Sequence, residues 1–453
     1  MPWRERLLPR RMARVAVVAP QTRWRPVIAA VADSGLLEPD PREGSEREID
    51  RPRTPPRIDA SGPPSDERAA AHPDLAAGEA EIARVTLASE ARDGVTALVG
   101  WAEATRMAEL AGLVQPYGGT VVELATPPGA EPPTLLSGSD TSPVRPLVDT
   151  YATVPYRDVD PTWFAVAAYV LMFGMMFGDA GHGLLVVAGA LWLRRTQRPW
   201  AAPGTRVWPV IAAMGVSATF FGLLYGEFFG PTGVIPALWI EPLEEPVRLM
   251  VAAGGVGAAL LAMSYLIGIV NRWREGGPGF AIYAPSGIAG LLLFLGIAMI
   301  AGGLWWQVTA LWVLGAVSAL VALALVAIGR RAVAEAGAAG VVEAGVETFD
   351  VLVRLGSNIV SFARLAAFGL MHAALGAVVW DATTALWGPG IGAVAAIVVF
   401  VVGNAVSFAL EALIAAVQAL RLEYYELFSR VFVTEGRPFR PWHVPYADKE
   451  ASS

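Results

Sequence analysis

The stretch PTWFAVAAYVLMFGMMFGDAGHGLLVVAGALWL, residues 161–193, decides how this chain folds. It is apolar enough for a lipid bilayer, yet its length of about 33 residues exceeds the roughly 20 that one spanning helix needs. Near its centre stands Gly178-Asp179-Ala180-Gly181-His182-Gly183, with three glycines in six residues. Such a cluster is a poor helix interior and a good break. The stretch therefore reads either as one overlong span or as two short spans hinged at the glycines.

Loop charges arbitrate, because Arg and Lys in short loops favour the cytoplasmic side. Seven apolar segments are visible: 161–193, 207–229, 247–271, 281–303, 305–329, 346–380 and 391–428. If the first crosses once from a cytoplasmic N-terminus, Arg194, Arg195 and Arg198 fall outside, as do Arg272/Arg274 and Arg330/Arg331. If it crosses twice, all three basic loops lie inside with Arg430, Arg437 and Arg440, and the acidic loop Glu241–Glu245 goes outside. The second arrangement predicts an all-α polytopic membrane bundle of about eight transmembrane helices, the last two long and tilted, with both termini cytoplasmic. Its half-spans have only about 16 residues each, so they must be short, tilted or set in locally thinned bilayer. Trp200, Trp208, Trp239, Trp305, Trp306 and Trp387 stand at span ends and read as an aromatic belt.

Composition agrees with a bilayer protein. Of 453 residues, 54% are hydrophobic and 17% charged, against about 25% charged in soluble domains. There is no cysteine, which excludes disulfides, thiolate metal sites and a cysteine nucleophile. The four histidines are scattered too widely in sequence to suggest a metal site, and neither a metal nor a cofactor is expected. No Gly-Lys-Ser/Thr phosphate cradle occurs, so no nucleotide site is expected in this chain, and no nucleic acid is expected among its partners.

The polar N-terminal part reads as a small α+β cytosolic module with a long insertion. Residues 1–37 supply a strand (14–20) and an amphipathic helix (23–37); residues 91–125 supply a strand (95–101), a helix (102–114), a turn at Tyr117-Gly118-Gly119 and a strand (120–125). Between them, residues 38–90 are rich in Pro and charge and are expected to be a largely disordered insertion. Residues 126–155 read as a linker, 156–432 as the membrane domain and 433–453 as a cytoplasmic tail. Met1 to Arg14 is basic but lacks the apolar core of a signal peptide, and Met12, just ahead of the first strand pattern, is an alternative start.

An ionisable group at the centre of a spanning helix costs at least about 2.5–3.5 kcal/mol, so each one is a functional hypothesis by default. The seventh segment holds Asp350, Arg354, Asn358, Arg364 and His372; the eighth holds Glu411, Gln418 and Arg421. Arg364 is the sharpest, lying in Ser-Phe-Ala-Arg-Leu-Ala-Ala-Phe-Gly, and an arginine keeps its charge where a lysine would lose it. A fixed cation in a membrane needs an anion. That anion is either a carboxylate shared transiently with a moving partner or a static one in the same chain, such as Glu411. Glu411 and Gln418 are seven residues apart on nearly one helical face, and Arg421 lies roughly 80° round from Glu411. Such a stack either lines a water path or glues helices together; Arg421 also reads as a snorkelling end residue. Asp350 and Arg354 read as an i,i+4 pair. Asp179, His182 and Glu227, at the glycine break and the end of the next span, read as half-channel lining or as groups that satisfy a broken helix, with His182 open to a proton-relay role.

With these residues in place, the chain resembles subunit a of the V-type ATPases, called subunit I in bacteria. Four stretches carry the resemblance: 161–187, LYGEFFG (224–230), SNIVSFARLAAFGLMHAAL (357–375) and EALIAAVQALRLEYYELFSRVF (411–432). It covers essentially all of 155–442, with weaker matches at MARVAVVAP and at GWAEATRMAELAGLVQPYGGTVVELATPPGAEPPTLL. It implies eight membrane helices and a stator role beside a rotating proteolipid c-ring, with peripheral stalk and catalytic head subunits as further partners. It also implies that Arg364 meets the ring carboxylate, that His372, Glu411 and Arg421 serve proton transfer, and that Asp350 stands where eukaryotic relatives have a channel glutamate. Gln418 departs from the histidine of eukaryotic relatives and Arg354 from a polar neutral residue. Between the two N-terminal flanks the family has a long coiled coil and a further lobe, whereas about 55 residues stand here. The expected function is proton translocation through two aqueous half-channels at the cell membrane. The competing expectation is a truncated structural or assembly relative without coupled transport; a secondary transporter with internal repeats finds no convincing half-to-half match.

Overall fold

The computed structural model describes residues 8–40, 55–59, 62–127, 129–136, 148, 151–196, 207–334, 337–432 and 434–447. The chain divides into two compact units, one of residues 1–137, 153–156 and 435–453, the other of residues 138–152 and 157–434.

In the first unit, β1 (Met12–Pro20) lies between β4 (Val95–Glu103) and β5 (Thr120–Leu124). β2 (Leu37–Pro39) and β3 (Glu90–Arg92) both pair with β4, and every pairing is antiparallel. Ala13, Val15, Val17 and Ala19 alternate along β1 into one core, the period-2 pattern of a sheet with one buried face. α1 (Trp24–Ser34) presents Val27, Ile28 and Val31 to that core and stops at Gly35, whose φ of 58° is the left-handed cap glycine allows. The β3–β4 hairpin turns at Asp93-Gly94, both at positive φ, as a two-residue primed turn requires. α4 (Met107–Val114) buries Leu110 and Val114 in the same core.

Two features differ from the expectation for this unit. Within the stretch 38–90, read as largely disordered, α2 (Asp66–Ala71) and α3 (Pro73–Ala88) are helical, and α3 buries Leu75, Ile82 and Val85. Its alanine-rich sequence has high helix propensity, and Ser65 accepts the Arg68 N–H at the start of α2. Residues 41–54, 60 and 61 of that stretch lie outside the described residues. The segment 435–447, expected as a simple tail, returns into the module. Trp442 and Val444 are buried in its core, and their N–H groups donate to the Leu37 and Ala32 carbonyls at 2.8 and 3.0 Å.

The second unit is helical. The glycine break is present: α5 (Thr162–Met176) and α6 (Ala180–Arg195) are separate helices of 15 and 16 residues. Then come α7 (Trp208–Tyr225), α8 (Pro246–Tyr283), α9 (Ile288–Trp305), α10 (Thr309–Val333), α11 (Ala338–Ser361), α12 (Ala363–Leu386) and α13 (Ile391–Leu422). Among the described residues six of these, α7 to α10, α12 and α13, are long and apolar enough to cross a membrane, and α5 is a shorter apolar helix. Only 17–33% of each apolar window is buried, so most of this surface faces outward. In water that would be an aggregating surface; in lipid it is the ordinary one. The chain is a multi-pass membrane protein.

Two sequence readings are corrected here. The seventh segment, expected as one span over 346–380, divides at Phe362 into α11 and α12. α11 is amphipathic, carrying Glu343, Glu347, Asp350 and Arg354, and only α12 is apolar enough to cross. Arg272, placed in a basic loop by its charge, lies within α8, which runs on until its backbone breaks at Gly277 and Pro278. Its guanidinium is buried beside two acids of the same unit, with Asp158 at 3.8 Å and Glu275 in contact. Of the basic loop after α6, Arg198 lies outside the described residues, as does Trp200.

Candidate ion-translocation site

The break after α5 organises the first half of the site. Asp179 caps α6, its Oδ1 accepting the His182 N–H at 2.8 Å. The same carboxylate accepts two more backbone N–H groups from the loop that follows α7, those of Phe229 at 3.1 Å and Gly230 at 2.8 Å. The Ala180 N–H donates in turn to the Glu227 carbonyl at 2.9 Å. One buried side chain thus closes a broken helix and ties it to the end of the next, which answers why an acid stands inside this glycine cluster.

Around that knot the fold gathers groups far apart in sequence. His372 of α12 is buried, with its Nδ1 donating to Glu411 of α13 and its Nε2 3.7 Å from Glu227 Oε2. His182 lies with Nδ1 3.7 Å from Asp179 Oδ1, and the two imidazole centroids are 5.7 Å apart. Phe177, Phe229 and Phe408 wall the pair, at 5.0 to 5.8 Å between ring centroids. Asn404, one heptad before Glu411 on α13, is buried on the same side of the helix. Asp179, His182, Glu227, His372 and Glu411 therefore form one buried constellation; their spacing in sequence hides it.

Arg364 is held apart. It sits one residue into α12, directly after the Phe362 break, and makes no salt bridge among the described residues. Its Nη1 is buried without a hydrogen-bond acceptor. Glu411, the static partner considered from sequence, faces His372 instead. Arg421 and Glu426 are close enough to Arg364 to act on it electrostatically. Arg421 is exposed and Gln418 half-buried on α13. Asp350 and Arg354 do form the i,i+4 pair, Nε to Oδ2 at 2.5 Å, with both side chains more than half exposed. The side chain of Asn358 lies outside the described residues.

Two acids went unnoticed in the sequence. After Leu422 the helix widens into a π-helical turn, Glu423–Phe428, which buries Glu423 and Glu426. Neither Glu423 carboxylate oxygen has a hydrogen-bond partner among the described residues. Such turns cluster at functional positions, and two acids within five residues of Arg421 were the available signal.

A sequence profile of the V-type ATPase 116kDa subunit family matches residues 102–275, across the end of the first unit and the first four helices of the second. Over that stretch the chain is similar to that family. Among curated relatives, the A-type ATP synthase subunit I of Aeropyrum pernix is 30% identical over 352 residues, covering 67% of this chain and 50% of its own length. Its counterpart in Methanocaldococcus jannaschii is 27% identical over 364 residues, covering 72% and 51%. The V-type ATP synthase subunit I of Chlamydia pneumoniae is 23% identical over 434 residues, covering 79% and 62%. The chain spans about half the length of the first subunit I relatives it matches.

Proposed function

We propose that this chain is the non-catalytic stator of a rotary ATPase, carrying protons to and from a rotating proteolipid c-ring through two aqueous half-channels. The observation that carries the reading is Arg364: an ever-charged side chain at a helix break, with no salt bridge among the described residues and a buried Nη1 lacking an acceptor. A guanidinium in apolar surroundings is costly without an anion, so the arrangement suits a carboxylate that arrives from outside the chain. A ring carboxylate reaching Arg364 gives up its proton to form the pair, and the standing charge blocks a direct proton leak between the half-channels.

The buried constellation of Glu227, Asp179, His182, His372 and Glu411 serves as one half-channel, passing protons between imidazole and carboxylate, with His372 and Glu411 hydrogen-bonded and the other pairs 3.7 Å apart. Arg421, Glu426, Glu423 and Gln418 line the other, with Gln418 acting only through ordered water because it does not titrate. Asp350 and Arg354 lie at its margin, and Asn358 is assigned to the same helix. Peripheral stalk and catalytic head subunits complete the partners, with the chain in the cell membrane and both termini cytoplasmic.

The test is ATP-driven proton uptake by vesicles carrying the native complex, comparing wild type with Arg364→Ala. Uptake is expected to be abolished while ring and head still co-purify with the chain. Persistent uptake in the variant overturns the reading, and purification without a ring supports the structural-relative reading instead.

A further inference from the structure

Three carboxylates and two imidazoles meet in the buried constellation, and no Lys or Arg pairs with any of them among the described residues. Buried acids of this density need either protons or a cation. Three of the groups, Asp179, His182 and His372, place one donor atom each within 4.8 Å of one another, and all three are buried. His182 is the independent sign. It is 2% exposed, both of its ring nitrogens lack a hydrogen-bond partner among the described residues, and its Nδ1 lies 3.7 Å from Asp179 Oδ1.

We propose that Asp179, His182 and His372, with Glu227 beside His372, form a binding site for a divalent transition metal of the zinc class. The donor set selects the ion: imidazole nitrogen suits zinc, copper and nickel, whereas calcium and magnesium take oxygen. The distances suit tetrahedral zinc. Metal–ligand lengths of about 2.0–2.2 Å put neighbouring donors about 3.3 Å apart. Two donor pairs already stand at 3.7 Å, His182 Nδ1 with Asp179 Oδ1 and His372 Nε2 with Glu227 Oε2. Side-chain shifts well under an ångström bring each pair to bonding separation, and the Asp179, His182 and His372 donors close on one another from within 4.8 Å. The outer contact is also in place. His372 Nδ1 donates to Glu411, which fixes the tautomer that leaves Nε2 free to ligate, the arrangement that metal-binding histidines use. Phe177, Phe229 and Phe408 enclose the site.

An ion held there immobilises the acids and imidazoles that carry protons. On the half-channel reading above, zinc is therefore an inhibitor of transport, bound within the path and not at its mouth. The binding part of the inference stands apart from that reading.

The experiment uses the purified native complex and two readouts. Cobalt(II) substitutes for zinc and reports tetrahedral nitrogen–oxygen ligation by its visible absorption; zinc competes it away. Wild type is expected to bind one ion per chain, His182→Gln to weaken binding at least about tenfold, and Glu411→Gln to weaken it about 10–100-fold through His372. His182→Cys keeps a ligand and restores binding, which separates lost ligation from misfolding. Proton uptake by wild type is titrated with zinc, and inhibition is expected over the same concentration range in which zinc displaces cobalt. Equal cobalt binding by wild type and His182→Gln, or none by wild type, overturns the site. Binding without effect on uptake keeps the site and removes the half-channel from this cluster.

Discussion

The break between α5 and α6 and the break between α11 and α12 are closed by opposite means. At the first, Asp179 takes three backbone N–H groups from two segments, so a charge is consumed in holding the backbone. At the second, the plug is Phe362, a buried ring packed on the backbone of Gly257 in α8, and the nearest charge, Arg364, is left unspent. A membrane protein must satisfy every interrupted hydrogen bond internally. Asp179 does so at the first break. At the second a phenyl ring offers no donor or acceptor, the backbone bonds locally, as from the Leu365 N–H to the Phe362 carbonyl at 3.0 Å, and the nearby charge remains available for work. The polar closure makes a fixed scaffold; the aromatic closure leaves a cation to be met by something that moves.

The largest effect is expected at the polar closure. Asp179→Ala orphans three N–H groups, two of them buried at about 1–3 kcal/mol each and that of Phe229 part-buried. The complex should lose its thermal transition or fail to accumulate, measured as solubilised yield and melting temperature; wild-type stability there breaks the comparison. Next is Gly222→Ala on α7, whose added Cβ would stand 2.1 Å from the Ala180 nitrogen, a backbone atom with nowhere to go. A cost at the upper end of about 1–3 kcal/mol is expected in the same melting assay. Gly257→Ala meets Phe362 Cγ at 2.3 Å, but a ring can swing, so about 1 kcal/mol is expected together with reduced proton uptake as Arg364 is re-aimed. Equal costs at the two glycines would show that both breaks are equally rigid. The smallest change is expected at Asp350→Asn, within about 0.5 kcal/mol, because its pair with Arg354 is exposed and locally helical. Unchanged melting with lost uptake would move Asp350 from a surface pair into the channel.

Much of this architecture was legible because local chemistry announces it. The glycines at 178, 181 and 183 signalled the first break, and alternating Val and Ala signalled β1. The second break carries no such mark: Phe362 is flanked by Ser361 and Ala363, with neither Gly nor Pro, its own backbone angles stay helical, and its ring packs against α8. Periodicity over 346–380 likewise concealed a change from an amphipathic to an apolar helix. Arg364 and Glu411 stood out as charges in apolar runs, but the partner of Glu411 was legible only in three dimensions, since His372 is 39 residues away in sequence. The meeting of His182 with His372 spans 190 positions by their numbering and follows from helix packing alone. The return of Trp442 into the module was hidden in a segment too polar and Pro-rich to look like core.

That return has a consequence for biogenesis. Ribosomes deliver a chain from its N-terminus, and domains ordinarily fold as they emerge. Here the N-terminal sheet waits: the Leu37 and Ala32 carbonyls gain their donors only when residues 442 and 444 have been made, after every membrane helix in between. The module is in effect a clasp fastened last. A chain halted or cleaved before its final segment leaves the first-made part unfinished, and so carries its own sign of incompleteness to the machinery that degrades failed proteins.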